Sequence, residues 1–493
     1  MYNKQKAGIA MSNNESGNTL KRKLSPMNVW AIAFGCVIGW GSFINPGKKF
    51  LPNSGVAGTA IAMVLGALVM IIIAASYAYM VPKYPKAGGE FTFAKACFGK
   101  MAAYVCGWFL VAAYLTNVPM NSTAIGLIVD GIDGGADILK FGFHYSIAGF
   151  DIYMGEMLLA MFILLLFGYL NILGVQKAAF IQTVLSALLI ISVVTLTIAG
   201  ICSAKSSGLN LEPIWGFDKA AASATGANPD QLARVGTTGV ISAILATFAI
   251  APWAYVGFDA IPQAAEEFNF SFKKVSGIMI VAIVFGCFVY TANNTVAALA
   301  LENWPQRVMA GEWVLLVAAE EMLGPFGKIL IGTGVSCAVL SGIMGFYLAS
   351  SRLMLSMSRE GFLPKWFAKV DKKRGTPTNA MIFCIIISLS GPILGREALG
   401  WFVDMCAIGA SVGYFFTCAS SLVSMRRDRD GSRSLKILAV VGVCFSVAFM
   451  VLQLVPIPGL SGVHFSKESY ILLIVWIVLG ALFYTKQKKQ FIA

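Results

Sequence analysis

The sequence predicts an all-α integral membrane protein of about twelve transmembrane helices, built as a five-plus-five inverted repeat with two broken helices plus two accessory helices. Three observations carry that expectation. Of 493 residues, 57% are hydrophobic and only 12% charged, whereas soluble domains carry about 25% charged residues. The apolar residues fall in stretches of roughly 17 to 28, each long enough to cross about 30 Å of hydrocarbon, with short polar connections between them. Glycine and proline then interrupt the first and the sixth stretch at matching places.

Spans are expected near Met27 to Asn45, Val56 to Met80, Met101 to Val129, Met154 to Leu173, Ala178 to Cys202 and Val240 to Gln263. Six more are expected near Val275 to Leu301, Lys328 to Leu355, Asn379 to Ile393, Leu399 to Met425, Leu435 to Val455 and Tyr470 to Tyr484. The chain divides accordingly into a polar N-terminal tail (1–26), a first repeat (27–202), an outer loop (203–239), a second repeat (240–425), and a last pair of spans with a C-terminal tail (426–493). Within the outer segments, Gly311 to Gly324 is expected to form a helix lying outside the bundle.

An even number of spans puts both termini on one side, and that side holds 27 of the 37 Lys and Arg residues. Short basic loops stay in the cytoplasm, so both termini are expected there, in a multi-pass protein of the plasma (inner) membrane. The net charge of +13 then reflects topology and contact with membrane lipids rather than nucleic-acid binding. The first twenty residues lack an apolar core with a small-residue cleavage site, so the first span is expected to be retained. Ten scattered cysteines read as small packing residues, and His144 and His464 lie far apart in outward loops. No metal, cofactor, phosphate-binding loop or hydrolase spacing is expected, which makes an enzyme a poor fit.

The first span reads Gly35-Cys36-Val37-Ile38-Gly39-Trp40-Gly41-Ser42-Phe43, with two glycines flanking an aromatic near its centre. The sixth reads Ala251-Pro252-Trp253-Ala254-Tyr255-Val256-Gly257-Phe258-Asp259, with a proline and a glycine around two aromatics. Gly and Pro are also common in membrane helices for close packing. Paired breaks five spans apart are nevertheless the pattern of an inverted repeat with a binding site between the broken helices.

Four stretches resemble the amino acid, polyamine and organocation superfamily, and the resemblance runs from about Pro26 to Tyr484. They are Gly39-Trp40-Gly41-Ser42-Phe43-Ile44; Pro85-Lys86-Ala87-Gly88-Gly89-Glu90-Phe91-Thr92-Phe93; Tyr255-Val256-Gly257-Phe258-Asp259 with Ala265-Glu266-Glu267; and Ser351-Arg352-Leu353 through Arg359-Glu360-Gly361-Phe362-Leu363-Pro364. The resemblance implies a LeuT-like permease that moves amino acids by alternating access as a symporter or antiporter, coupled to protons or sodium or working by exchange, as a monomer or homodimer. Polyamine or other organic-cation transport is the alternative, ahead of a transporter-like sensor or a membrane-embedded enzyme.

By the same resemblance, Gly39 and Gly41, with Ser42 close by, would receive a substrate carboxylate on exposed amides. Trp40 departs from the family's small residue there and would narrow the pocket or wall it. Trp253 resembles the aromatic that packs on substrate, with the carbonyls of Ile250 and Ala251 facing the amino group and Gly257 completing the break. Asp259 resembles an acidic gate in proton-linked relatives, or else caps the second half-helix. Glu266 and Glu267 read as a solvated charge cluster or a gating contact. Asn117 and Asn121 share one face of the third span with Tyr114, as substrate ligands or helix glue. Ser341 is a candidate sodium ligand, Gln182 and Thr183 are polar without an assigned role, and the middle of the fifth span carries no lysine.

Overall fold

The computed structural model describes residues 20–492, apart from 135, 148–149, 208–210, 235, 396–397 and 458–463. Most of the N-terminal tail, residues 1–19, thus lies outside the described residues. The chain runs α1 (Pro26–Val37), α2 (Gly41–Asn45), a π-turn (Pro46–Phe50), α3 (Leu51–Lys83), α4 (Gly89–Phe98) and α5 (Lys100–Ile132). A two-stranded antiparallel hairpin, β1 (His144–Ile147) and β2 (Phe150–Tyr153), leads into α6 (Met154–Ile172), α7 (Val175–Ser207), α8 (Lys219–Thr225), α9 (Gly236–Phe248) and α10 (Ala251–Tyr255). The second half continues as α11 (Val275–Leu299), α12 (Trp304–Met309), α13 (Val314–Leu323), α14 (Pro325–Arg359), α15 (Thr378–Ser388), α16 (Gly391–Leu394), α17 (Ala398–Arg427), α18 (Arg433–Leu454) and α19 (Lys467–Ile492).

Among the described residues nine helices are long and apolar enough to cross a membrane. Three shorter apolar segments, Pro26–Val37, Gly236–Phe248 and Thr378–Leu394, stand at the places expected for the first, sixth and ninth spans. The fold is thus all-α and membrane-spanning. Its outer surface presents side chains such as Phe180, Ile191, Ile198, Ile329, Ile471 and Ile474, which water would not tolerate as a belt and lipid does.

Local chemistry sets the ends. Ser25 caps α1 in a reciprocal box with Asn28: its hydroxyl oxygen accepts the Asn28 N–H at 3.3 Å, and Asn28 Oδ1 accepts the Ser25 N–H at 3.3 Å. Centrally, α5 packs along α14 and α17, and α1 lies against α7, α11 and α14. The α13 helix corrects the expectation of an external helix. Val314, Leu315, Ala318 and Ala319 are fully buried, and Trp313 Nε1 donates to the Phe43 carbonyl at 2.8 Å, so its apolar face seals against the bundle just outside α2.

Candidate functional site between the broken helices

The first span stops at Val37 because Ile38 leaves helical geometry (φ −102°, ψ 97°), and helix resumes only at Gly41. Among the described residues, the N–H groups of Gly39, Trp40 and Gly41 donate to no other backbone group. Those amides form the polar mouth that a broken helix offers to an anion. The Ser42 hydroxyl folds back to the Gly39 carbonyl at 2.9 Å and holds the turn.

The sixth span breaks twice. Pro252 has no N–H, so the Phe248 carbonyl loses its helical donor, whereas the Ile250 carbonyl accepts the Ala254 N–H at 2.9 Å. Gly257 then turns at φ 127°, a conformation open to glycine, and a Cβ there would lie 2.7 Å from the Cys36 carbonyl carbon and the Val37 nitrogen. Beyond it the chain continues in 3₁₀ turns, Phe258–Ala260 and Pro262–Glu267.

The two breaks therefore meet. Trp40 and Trp253 face one another with ring centroids 6.0 Å apart, each 6% exposed. A Cβ on Gly41 would stand 3.1 Å from Trp253 Cζ2, with Cη2 nearer still. Asn121 enters from α5: its Oδ1 would lie 3.6 Å from a Cβ on Gly39, and among the described residues that oxygen is buried without a partner, as is Trp40 Nε1. Asn117 is placed otherwise, donating to the Ala113 carbonyl at 2.7 Å and to Cys406 Sγ at 2.9 Å, which ties α5 to α17. Ser341 Oγ lies 3.2 Å from the Gly35 carbonyl, beside Gln182, whose amide donates to the Ala31 carbonyl at 3.2 Å.

Below the breaks sits a buried polar network. Asp259 accepts the Gly257 N–H on Oδ1 at 2.6 Å and the Tyr114 hydroxyl on Oδ2 at 2.9 Å. Glu90, at the start of α4, accepts the Tyr77 hydroxyl at 2.6 Å and the Gln263 amide at 2.6 Å. Burial, and then the Asp259 charge, push the Glu90 carboxyl well above the usual carboxylate range. Glu90 stands in one of the four family-like stretches, yet nothing in local sequence marks it as buried; its partners come from positions 77, 114 and 263.

Glu266 and Glu267 part company. Glu266 keeps contact with solvent and pairs with Arg359 at 2.9 Å. Glu267 is fully buried and receives Arg352 through Nε at 3.2 Å and Nη2 at 3.0 Å, which corrects the reading of a solvated cluster for that residue. The partner lies 85 residues away, out of reach of any local pattern.

A helical bundle with an apolar outer shell and backbone polar groups freed at two facing helix breaks has the build of a membrane permease. Residues 24–483 match the profile of the amino acid permease family, and the chain belongs to that family, within the amino acid, polyamine and organocation superfamily. It is similar to the large neutral amino acids transporter small subunit 2 of rabbit, with 26% identity over 428 residues that cover 86% of this chain and 74% of that protein. It is also similar to the Asc-type amino acid transporter 1 of mouse (26%; 74% of this chain, 63% of that protein) and to the vacuolar cationic amino acid transporter 4 of Arabidopsis thaliana (23%; 83% and 63%).

Proposed function

We propose that this permease carries small neutral α-amino acids across the plasma membrane by alternating access, with the substrate between the two helix breaks and both termini in the cytoplasm. The observation that carries the reading is the pairing of opposite backbone polarities under two indoles. Unclaimed amides at Gly39, Trp40 and Gly41 suit a carboxylate, and the freed Phe248 carbonyl suits an ammonium group. The surrounding side chains, Trp40, Trp253, Ser42 and Asn121, are uncharged, which matches a zwitterion whose own side chain carries no charge. Trp40 fills space that a small residue would leave open, which favours short side chains.

Other features support the cycle. Breaks five spans apart fit two inverted repeats, with the broken first and sixth spans rocking together against the third, fourth, eighth and ninth. Ser341 is poorly suited to sodium, because its hydroxyl and the Gln182 amide turn donors toward the Gly35 and Ala31 carbonyls that a cation would need. A polyamine draws no support from Asp259, whose two oxygens already face the Gly257 N–H and the Tyr114 hydroxyl.

Uptake of a radiolabelled amino-acid mixture into proteoliposomes checks this, with each unlabelled amino acid and polyamine as competitor. Alanine, serine and similar small neutral amino acids are expected to compete, and Trp40→Ser is expected to let large neutral ones compete as well. Competition by polyamines alone would sink the substrate class, and an unchanged competitor pattern in Trp40→Ser would remove that indole from the pocket wall.

A further inference from the structure

Beneath the two breaks, Glu90 and Asp259 share one buried network. Both carboxyl groups are fully buried, and among the described residues no Lys, Arg or His donates to either. The groups that face them come from each packed element. Tyr77 comes from α3, Cys106 and Tyr114 from α5, Cys36 from α1, and Cys406 and Tyr414 from α17, while Gln263 shares the sixth span with Asp259. From α14 comes Phe346, stacked on Tyr114 at 6.2 Å; Arg352, on the same helix, is committed to Glu267. All these neighbours of the two carboxyl groups, Arg352 apart, are neutral or acidic. Two like charges in such a place cannot both be retained, since each needs a counter-charge or a proton.

The hydrogen-bond geometry is built for a proton. The Tyr114 hydroxyl gives its hydrogen to Asp259 Oδ2 at 2.9 Å and stands 3.5 Å from Glu90 Oε1, so its lone pair faces a Glu90 O–H when that carboxyl is protonated. Gln263 offers the complementary adjustment. Its Nε2 donates to Glu90 Oε2 at 2.6 Å, while its buried Oε1 has no partner among the described residues. A half-turn of that amide exchanges donor for acceptor and accommodates a protonated Glu90. The Tyr414 hydroxyl, buried without a partner among the described residues, supplies a further adjustable group in the same cluster.

We infer that Glu90 and Asp259, bridged by the Tyr114 hydroxyl, form a proton-binding site whose loading is coupled to substrate movement. The coupling rests on the proposed permease activity; the site itself does not. Glu90 sits on α4, between the long helices α3 and α5, and Gln263 sits on the 3₁₀ stretch that ends in the Glu267–Arg352 pair. Opening the chain at that pair would carry Gln263 away from Glu90 and let water take the proton, and closing it would trap the next one.

Two measurements test this on the purified full-length protein. Infrared titration in detergent reads the protonated-carboxyl C=O band. The wild type is expected to show a band that persists above the ordinary carboxylate range and disappears only as pH rises further. Glu90→Gln should lack it and Glu90→Asp should regain one. Tyr77→Phe removes a donor that favours the ionised form, and should move the midpoint to higher pH. In proteoliposomes holding a trapped pH dye, an external mixture of the twenty amino acids should produce a proton signal in the wild type, and one at least tenfold smaller in Glu90→Gln.

An unchanged band or an unchanged proton signal in a monodisperse Glu90→Gln protein would overturn the inference, and so would amino-acid uptake by the wild type with no proton signal. If no amino acid is taken up, the substrate reading fails instead, and the infrared titration still decides the site.

Discussion

Gly41→Val is expected to abolish amino-acid uptake while leaving membrane insertion and the detergent elution profile unchanged. The Cβ that valine adds would run into the far edge of the Trp253 indole, and it would stand 3.0 Å from Asn45 Nδ2 on its other side. The indole has little room to retreat, because Trp40 faces it at 6.0 Å between centroids. Overpacking of this kind costs about 1–3 kcal/mol. The affected amides at Gly39, Trp40 and Gly41 are also those with no backbone partner, so a shifted turn removes the anion site itself. Wild-type uptake by Gly41→Val would move substrate away from the first break altogether. Gly41→Ala, with one methyl group, is expected to fall between the two.

Much of this fold is legible in the sequence because lipid imposes a length on every crossing segment. Apolar runs alone give Val275 to Leu301 and Leu399 to Met425, and the helices observed are Val275–Leu299 and Ala398–Arg427. The position of the breaks is legible for the same reason that they exist: Gly39, Gly41, Pro252 and Gly257 each weaken a helix by a local mechanism. The stretch beyond the second break is not legible in that way. From Phe258 to Glu267 the chain takes 3₁₀ turns whose cause is tertiary, namely the packing of Gly257 against Cys36 and the capture of Glu267 by Arg352. The hairpin from His144 to Tyr153 escapes a sequence reading too, since its alternation is short and sits beside a long apolar span. Asn117 and Asn121 show the limit of helical spacing. Both lie on one face of α5, yet one side chain is spent on Cys406 and the other leaves Oδ1 unpartnered beside Gly39. Spacing gives the face, and only the neighbouring helices decide the role.

Breaking the Glu267–Arg352 pair is the second large effect to expect. Arg352 is 1% exposed and Glu267 0%, and two guanidinium nitrogens reach the carboxylate. Burial pushes the Glu267 carboxyl up, and Arg352 opposes that shift by stabilising the ionised form. Removing one partner leaves the other as an uncompensated buried charge, which destabilises proteins by about 3–5 kcal/mol. Glu267→Gln and Arg352→Ala should each lower the melting midpoint in detergent. The double variant Glu267→Leu with Arg352→Met replaces both charges by apolar groups and should recover most of that loss, as apolar replacements of buried pairs do elsewhere. Transport should not recover with it. The pair joins the 3₁₀ end of the sixth span to α14, and the backbone beside it is held as well, with the Lys23 and Leu24 N–H groups donating to the Glu267 carbonyl at 2.8 and 2.9 Å. An apolar contact at that junction has no charge to release into water, so the segment would open and close with a different balance and uptake would stay low. If the single variants melt like the wild type, water reaches the pair and it does not seal this end of the bundle. If the double variant restores uptake as well as stability, the charges hold the fold together but take no part in the transport cycle.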